Sequence, residues 1–180
     1  MDELNRLSVN EFRQSEKMPI VVVLDNIRSM HNVGSVFRTA DAFLVRGIYL
    51  CGFTPQPPHR DIHKTALGAT ETVEWKYFDS TAAAVGSLRE AGYAVFAVEQ
   101  TEGSVSLQEV CSQVSGAEGS LKPLAVVFGN EVEGVSAEAL AGCNGAIEIP
   151  QWGMKHSLNI SVAAGIVLWE LVRKQPAAIK

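Results

Sequence analysis

The 180-residue chain has no long apolar run of the kind found in membrane or secreted proteins. Residues 1–6 include two acids and form no apolar signal core. No apolar stretch approaches the roughly 20 residues that are needed to cross a bilayer. The sequence therefore predicts a cytoplasmic protein that has no membrane partner.

The chain is also poor in cysteine and in positive charge. Its three cysteines, Cys51, Cys111 and Cys143, lie far apart in or beside apolar segments. This pattern favours buried free thiols and predicts no metal site. Fifteen basic residues against twenty acidic ones give a net charge of −5. Because proteins that coat nucleic acid are usually basic, any RNA binding here must depend on a local basic patch.

Two common nucleotide-binding fingerprints are missing, namely G-x-G-x-x-G and the lysine-containing P-loop. Apolar strands and helices alternate instead. A capping-box helix is predicted over residues 8–17, with later helices over 33–43, 80–90, 137–140 and 158–173. Six strands are predicted over 20–24, 47–51, 72–78, 93–98, 124–128 and 146–149. The pattern indicates an α/β fold with a mainly parallel six-stranded sheet and helices on both faces.

No linker or shift of composition divides the chain, so we expect one domain over residues 19–180. Residues 1–18 would then form a short helical extension. In parallel sheets, ligands gather beyond the carboxyl ends of the strands. Three predicted strand ends here are followed by polar residues and glycine.

The first of these segments follows the strand over 20–24. Asn32 is a candidate N-cap for the next helix. Arg38 lies one turn after Gly34, among small and apolar residues. An arginine in that setting should either pair with a carboxylate, such as Asp41 or Glu131, or bind an anionic ligand.

The second segment follows the strand that ends at Phe128. Gly129 would allow a ligand or another backbone to approach closely, although a tight left-handed turn explains Gly129 and Gly134 equally well. Asn130 and Glu131 come next, and a carboxylate there can accept a hydrogen bond from a ligand or orient an arginine.

The third segment follows the last strand. Pro150 ends that strand, Gly153 permits a turn, and Ser157 and Asn159 open an apolar helix. A helix N-terminus presents free N–H donors, so polar side chains there can help to bind a ligand. The alternative is that Ser157 is an N-cap and Asn159 is simply solvated.

Together the three segments resemble the SpoU/TrmH family of SPOUT-class RNA methyltransferases. The resemblance covers residues 20–173. It rests on three blocks in the family's order: Asn32-x-Gly34-x-x-x-Arg38-Thr39-Ala40-Asp41-Ala42, Phe128-Gly129-Asn130-Glu131-x-x-Gly134, and Ile149-Pro150 through Ser157-Leu158-Asn159-Ile160-Ser161-Val162-Ala163. Residues 64–69 also resemble the family's loop after the second strand.

The resemblance implies methyl transfer from S-adenosylmethionine to a ribose 2′-hydroxyl in RNA. It also implies a deep C-terminal trefoil knot and a homodimer whose interface builds the active site. We expect no appended RNA-binding domain of the kind that larger rRNA-modifying relatives carry, so tRNA is the expected substrate, with a D-loop guanosine as the candidate. An rRNA substrate, a non-catalytic RNA-binding assembly factor and another nucleotide-binding α/β enzyme are the alternatives.

Site residues follow from the same resemblance, position by position. The implied catalytic and substrate-positioning residues are Asn32, Arg38, Glu131, Ser157 and Asn159. The implied cofactor-binding residues are Phe128, Gly129, Asn130, Gly134, Ile149, Pro150, Ser157 and Leu158. Ser161 is expected to be a small packing residue.

A local basic face for RNA is expected around the strand ends. The RNA-binding candidates are Arg28, Arg38, His63, Lys64 and Lys155, with Arg46 and His156 expected in the same loops. His59 and Arg60 could contribute or could belong to a solvated loop. Trp152 could stack on a base or pack in the core or in a dimer interface.

Overall fold

The computed structural model describes residues 7–114, 122–154 and 157–173. Strands and helices alternate along these residues, as the spacing of apolar runs predicts. The elements in chain order are α1 (Val9–Gln14), β1 (Met18–Asp25), α2 (Met30–Ala42), β2 (Val45–Cys51), α3 (Arg60–Ala66), α4 (Ala69–Thr72), β3 (Trp75–Phe78), α5 (Thr81–Glu90), β4 (Ala94–Val98), β5 (Val105–Ser106), α6 (Leu107–Gln113), β6 (Leu124–Phe128), α7 (Ala137–Gly142), β7 (Gly145–Glu148) and α8 (Ile160–Val172).

The strands form one parallel sheet in the order β3-β2-β1-β6-β4-β7-β5. This confirms the predicted α/β fold with a parallel sheet. The predicted number of six strands is wrong, because the described residues form seven. The additional strand, β5, has two residues and pairs with β7, opposite Ile147. Two residues are too few to produce an apolar pattern that sequence analysis can detect.

Helices cover both faces of the sheet, as predicted. On one face the core includes Phe37 of α2, Val110 of α6 and Leu168 of α8. On the other face, Leu88 of α5 and Ala139 of α7 pack against the strands. Because successive side chains of a strand point to opposite faces, the central strands contribute to both apolar clusters.

Several helix boundaries differ from the sequence predictions. Helices α3, α4 and α6 were not predicted, and Thr72 ends α4 instead of beginning a strand. The first helix spans six residues of the predicted ten, and its Phe12 is buried in the main core. A detectable signal did precede α6, because Ser106 and Glu109 form a capping box there.

The strand order brings distant parts of the chain together at the edge of the sheet that is formed by the carboxyl ends of its strands. Strand β6 lies between β1 and β4, and β4 lies between β6 and β7. At this edge, the buried Asp25 accepts hydrogen bonds from Thr81 Oγ1 at 2.5 Å, Asn26 Nδ2 at 2.8 Å and the Ser136 N–H at 2.7 Å. The carboxylate thereby connects the end of β1 to the starts of α5 and α7.

Two of the three cysteines are described, and both are free thiols. Burial raises the pKa of Cys51 to about 12 and that of the half-buried Cys143 to about 11. The predicted buried free thiol is confirmed for Cys51, whereas Cys143 is only half-buried. Cys111 lies in α6, and its side chain is outside the described residues. None of the described helices is long and apolar enough to traverse a bilayer.

Candidate active site

A cavity of about 500 Å³ lies beyond the carboxyl ends of β4, β6 and β7. This volume falls in the range that is typical of small-molecule sites. Seven of the eight predicted cofactor-binding residues line the cavity; Pro150 does not. Of the predicted catalytic residues, Glu131, Ser157 and Asn159 also line it. The second and third segments therefore meet in space, as expected from a parallel sheet.

The loop after β6 owes its shape to two glycines. The N–H of Asn130 donates to the carbonyl of Gly134 at 3.0 Å, and the N–H of Gly134 donates back at 2.8 Å. A Cβ on Gly129 would lie 2.1 Å from the carbonyl carbon of Gly134, whose φ is +72°. Gly129 thus makes room for another backbone segment, which is one of the two possibilities raised by the sequence.

Asn130 anchors this loop to the loop after β1. Its side chain is buried, and Nδ2 donates to the carbonyl of Asn26 at 3.0 Å. Its Oδ1 accepts from the N–H groups of Val132 and Glu133 at 2.8 and 3.3 Å. The side-chain amide of Asn130 therefore stabilises the loop after β6 and fixes it to the loop after β1.

A chain of hydrogen bonds joins all three segments at the cavity. Asn32 Nδ2 donates to Glu131 Oε1 at 2.7 Å, and Asn159 Nδ2 donates to Asn32 Oδ1 at 3.2 Å. The first pair is separated by 99 residues of sequence and the second by 127. Asn32 does not itself line the cavity, but it holds two side chains that do. The result is a fixed carboxylate at the edge of a small-molecule cavity.

The two cap candidates beside the site, Asn32 and Ser157, do not cap their helices, whereas the capping box predicted for the first helix is confirmed at Ser8. Helix α2 begins earlier, because Ser29 Oγ accepts from the N–H of Asn32 at 3.2 Å. Helix α8 begins later, because Asn159 Oδ1 accepts from the Ser161 N–H at 2.9 Å. Ser161 Oγ also donates to that oxygen at 2.7 Å, so Ser161 takes part in the cap and is not only a packing residue. Ser157 is left exposed beside the cavity.

Residues 19–169 match the SpoU rRNA Methylase family. The chain belongs to this family. It is 34% identical over 173 residues to tRNA (guanosine(18)-2′-O)-methyltransferase of Thermus thermophilus, a match that covers 96% of this chain and 84% of the relative. The predicted resemblance is confirmed.

Solved structures agree with this assignment to the SpoU family. The TrmH/SpoU tRNA modifying enzyme of A. aeolicus aligns with a TM-score of 0.79 and 28% identity, over 92% of this chain and 80% of that one. The AdoMet-bound rRNA methyltransferase from Sinorhizobium meliloti aligns with a TM-score of 0.75 and 29% identity, over 93% of this chain and 61% of that one.

Arg38 of this SpoU-family chain is exposed on α2 and does not line the cavity. The proposed ion pair with Asp41 or Glu131 does not form. Asp41 accepts from Thr72 Oγ1 at 2.5 Å, and Glu131 accepts from Asn32. Within the described ranges, Arg38 makes neither an ion pair nor a hydrogen bond, so its guanidinium is open to a ligand.

The predicted RNA-binding residues are distributed unevenly. Arg28, His63 and Lys64 are exposed beyond the ends of β1 and β2. Lys64 pairs with Asp61 at 2.7 Å and, through that hydrogen bond, lowers the pKa of the Asp61 carboxyl. Both groups are solvent-exposed, so the pair is weak and can exchange for a phosphate. Lys155, like His156, lies outside the described residues.

Four further basic or aromatic candidates also have clear positions. Arg46 lies near the start of β2, at the opposite end of the sheet from the cavity, so its expected place in the site is wrong. His59 Nδ1 accepts from the Asp61 N–H at 3.1 Å and caps α3, whereas Arg60 is exposed. Trp152 is 92% exposed, which excludes packing in the core of this protomer.

The segment after β4 also belongs to the site, although it was not predicted from the sequence. Glu99 and Gln100 line the cavity, and Glu99 Oε2 accepts from the Val135 N–H at 3.0 Å. This hydrogen bond from the Glu99 carboxylate stabilises the turn at Gly134. A polar pair directly after an apolar strand was the available signal, the same one that marked the other three segments. In the part of the chain that is described, no cluster of three or more His, Cys, Asp or Glu residues is placed to hold a metal ion.

Proposed function

We propose that this chain transfers a methyl group from S-adenosylmethionine to a ribose 2′-hydroxyl in structured RNA. The observation that carries the proposal is the hydrogen-bonded set Asn32, Glu131 and Asn159 at the cavity, which the three motif segments build together. The Thermus thermophilus relative is named for the same reaction on tRNA. We propose tRNA as the substrate, with a D-loop guanosine as the candidate and rRNA as the alternative.

The cavity is suited to S-adenosylmethionine. Apolar side chains, including Phe128, Ile149 and Leu158, form one part of its lining and can hold an aromatic base. Glu99 and Glu131 offer carboxylates to a cationic ligand. When bound, S-adenosylmethionine supplies an electrophilic methyl group, so the residues of the chain need only hold the acceptor hydroxyl and help remove its proton.

Asn32 holds Glu131 in place and is itself held by Asn159, and we assign these three residues to the positioning of the ribose. Ser157, exposed beside the cavity, can donate or accept a hydrogen bond at the same position. The pairing between Asn32 and Glu131 joins the first turn of α2 to the loop after β6.

Arg38 is proposed to stabilise charge and not to act as a base. A guanidinium remains protonated in proteins, so it cannot accept the proton of the hydroxyl. Its charge can stabilise the developing alkoxide or hold the neighbouring phosphate. Arg38→Lys retains the charge but loses the planar fork, and we expect at least a tenfold lower kcat/KM across the pH–rate profile. Activity near that of the wild type would show that the guanidinium geometry is not needed.

We further propose a homodimer whose interface completes the site. Arg38 lies outside the cavity of its own protomer, so a second copy can supply the missing cation. Helix α8 presents an exposed apolar stripe of Val162, Ile166 and Trp169, which are 50, 38 and 53% exposed. Burial of this stripe against a second copy would remove it from water. Analytical ultracentrifugation tests this, and a wild-type monomer at micromolar concentration would contradict it.

The trefoil knot, the domain limits and the location in the cell complete the proposal. The return of β6 between β1 and β4, with α8 packed against α2, supports a knotted C-terminal segment. The family match over residues 19–169 supports a single methyltransferase domain over 19–180, with residues 1–18 as an extension. An RNA substrate is consistent with action in the cytoplasm.

Mass spectrometry of nucleosides from tRNA and rRNA, with and without the gene, tests the reaction and separates the two substrates. We expect one 2′-O-methylated nucleoside to disappear from the tRNA fraction. Calorimetry with S-adenosylhomocysteine tests the cofactor independently. Lack of binding at high micromolar concentration would reject the proposal, whereas binding of RNA without methylation would favour the assembly factor.

A further inference from the structure

An exposed aromatic ring lies beside an arginine in the loops that follow the carboxyl ends of β1 and β2. Phe53 follows β2, and 56% of its surface is exposed. The guanidinium carbon of Arg28, in the loop after β1, lies 5.8 Å from the centre of the Phe53 ring. An aromatic ring with a cation beside it is the combination on which proteins stack unpaired nucleic acid bases.

The two loops that carry these side chains are fastened together. Thr54 is buried, and its Oγ1 donates to the carbonyl of Leu24 and accepts from the N–H of Ile27, both at 3.0 Å. The N–H of Phe53 donates to Asn26 Oδ1 at 3.2 Å. The residues before Arg28 and on both sides of Phe53 are therefore held in one position.

The backbone of these loops has a conformation that most side chains avoid. Asn26 has a φ of +55° and Gly52 a φ of +62°. A Cβ on Gly52 would lie 2.0 Å from Asn26 Oδ1, so only glycine leaves room for that amide. Such conformations persist where surrounding contacts hold them, and they are frequent at functional sites.

The same loops are connected directly to the cavity. The carbonyl of Asn26 accepts from Asn130 Nδ2 at 3.0 Å, and Asn130 immediately precedes Glu131. One buried amide thus joins the loop of Arg28 to the loop that carries the cavity carboxylate. A group bound at Phe53 would have a defined position relative to the reacting ribose.

Charge around this surface favours an anionic partner. In a chain of net charge −5, residues 26–40 and 51–68 contain a single acid, Asp61. The same two segments contain seven basic or histidine side chains: Arg28, Arg38, Arg60, Lys64, His31, His59 and His63. The exposed Arg28, Arg60 and Lys64 can therefore attract phosphates locally, although the protein as a whole repels them and Glu99 and Glu131 lie in the neighbouring cavity.

We propose that Phe53 and Arg28 form a stacking site for a base next to the methylated nucleotide. The inference rests on the proposed function. It adds that the substrate RNA has an unpaired base next to the methylated nucleotide. The Phe53 ring would stack on that base while Arg28 binds the adjoining phosphate. Because bases within a helix are already stacked, this site selects a loop or another unpaired region of RNA.

Steady-state kinetics test the site with an RNA that the wild-type chain methylates. Loss of one base–aromatic stack predicts roughly a 5- to 150-fold higher KM for RNA in Phe53→Ala. We expect kcat and the Kd for S-adenosylhomocysteine to change less than twofold. Phe53→Trp should restore the KM, whereas Phe53→Leu, which keeps an apolar side chain without a ring, should not.

Tyr77→Ala is the matched control. Tyr77 is a 41% exposed aromatic residue on the edge strand β3. Arg28 contacts the ring of Phe53 and Lys76 contacts that of Tyr49, so neither cation lies over the Tyr77 ring. Its replacement should leave the KM for RNA unchanged. RNA carrying an abasic nucleotide on either side of the target provides a second measurement. At one of the two positions, the abasic nucleotide should raise the KM of the wild type for RNA. The same RNA should raise the KM of Phe53→Ala little further.

An unchanged KM in Phe53→Ala would overturn the stacking site, and so would a Phe53→Leu variant that equals Phe53→Trp. A monomeric Phe53→Ala protein in sedimentation would also overturn it, since Phe53 would then belong to the dimer interface. Failure of the wild type to methylate any RNA would instead reject the proposed function. The two failures are thus distinguishable.

Discussion

Replacement of Gly129 by alanine should damage the loop after β6 far more than one added methyl group suggests. The new Cβ would lie 2.1 Å from the carbonyl carbon of Gly134, 2.4 Å from its oxygen and 2.2 Å from the nitrogen of Val135. All three are backbone atoms, so no change of side-chain rotamer can relieve the overlap. The loop itself must move.

The cost follows from two contributions. Overpacking by a methyl group in a dense region costs about 1–3 kcal/mol. Separation of Gly134 from Gly129 also strains the two hydrogen bonds between Asn130 and Gly134, each worth about 1 kcal/mol. We expect the free energy of unfolding to fall by about 2–4 kcal/mol. Binding of S-adenosylhomocysteine should weaken in parallel, because Asn130 and Glu131 move with the loop.

Urea denaturation measures the first effect and calorimetry the second, with Gly86→Ala as the matched control. Gly86 is exposed within α5, and no neighbouring atom lies within 4 Å of its ideal Cβ. Alanine there should stabilise the protein by about 0.5–1 kcal/mol, since it restricts the unfolded chain. The reasoning is refuted if Gly129→Ala unfolds within about 0.5 kcal/mol of the wild type, the range of a neutral surface change.

Two further predictions concern the polar chain and the thiols. Asn159→Asp keeps the oxygen that caps α8 but removes the Nδ2 donor to Asn32, so the melting temperature should stay close to the wild type while methyl transfer falls at least tenfold; full activity would contradict a positioning role. In a Cys111→Ser variant at pH 8, the remaining thiols should react with a disulfide reagent only after unfolding, because burial keeps their pKa values at about 12 and 11. The pKa values of the two thiols in the folded state exceed the unfolded value of roughly 8.5. The neutral thiols therefore contribute stability that is fully present below about pH 8.5 and is lost as the pH rises toward about 12. Rapid labelling of the native protein would contradict this prediction.

The main strands could be recognised from the sequence because each is a continuous apolar run. Helix ends were harder to place. Several serine and asparagine side chains lie near the start of α2 and of α8, and any of them has the chemistry of a cap. Backbone conformation selects Ser29 and Asn159 from among them. Helices α3 and α4 escaped prediction because they are short, and a few residues do not establish a helical period.

The candidate site was predicted in its parts and not in its connections. Polar residues and glycines after apolar strands marked the second and third segments, and the cavity contains both. The same signal after β4 was present at Glu99 but was not used. Arg46 was misplaced although it directly precedes the predicted strand over 47–51, a position that puts it at the amino end of a parallel sheet, opposite the cavity.

By itself, the sequence determined the α/β class, the polar strand ends and the family resemblance, because each is written in short stretches of residues. Only the tertiary structure decided that Asn32 meets Glu131 across 99 residues, that Arg38 stays outside the cavity and that Phe53 lies beside Arg28. These contacts depend on the strand order β2-β1-β6-β4-β7. Strand order results from long-range packing of the whole core, for which a local pattern carries no signal.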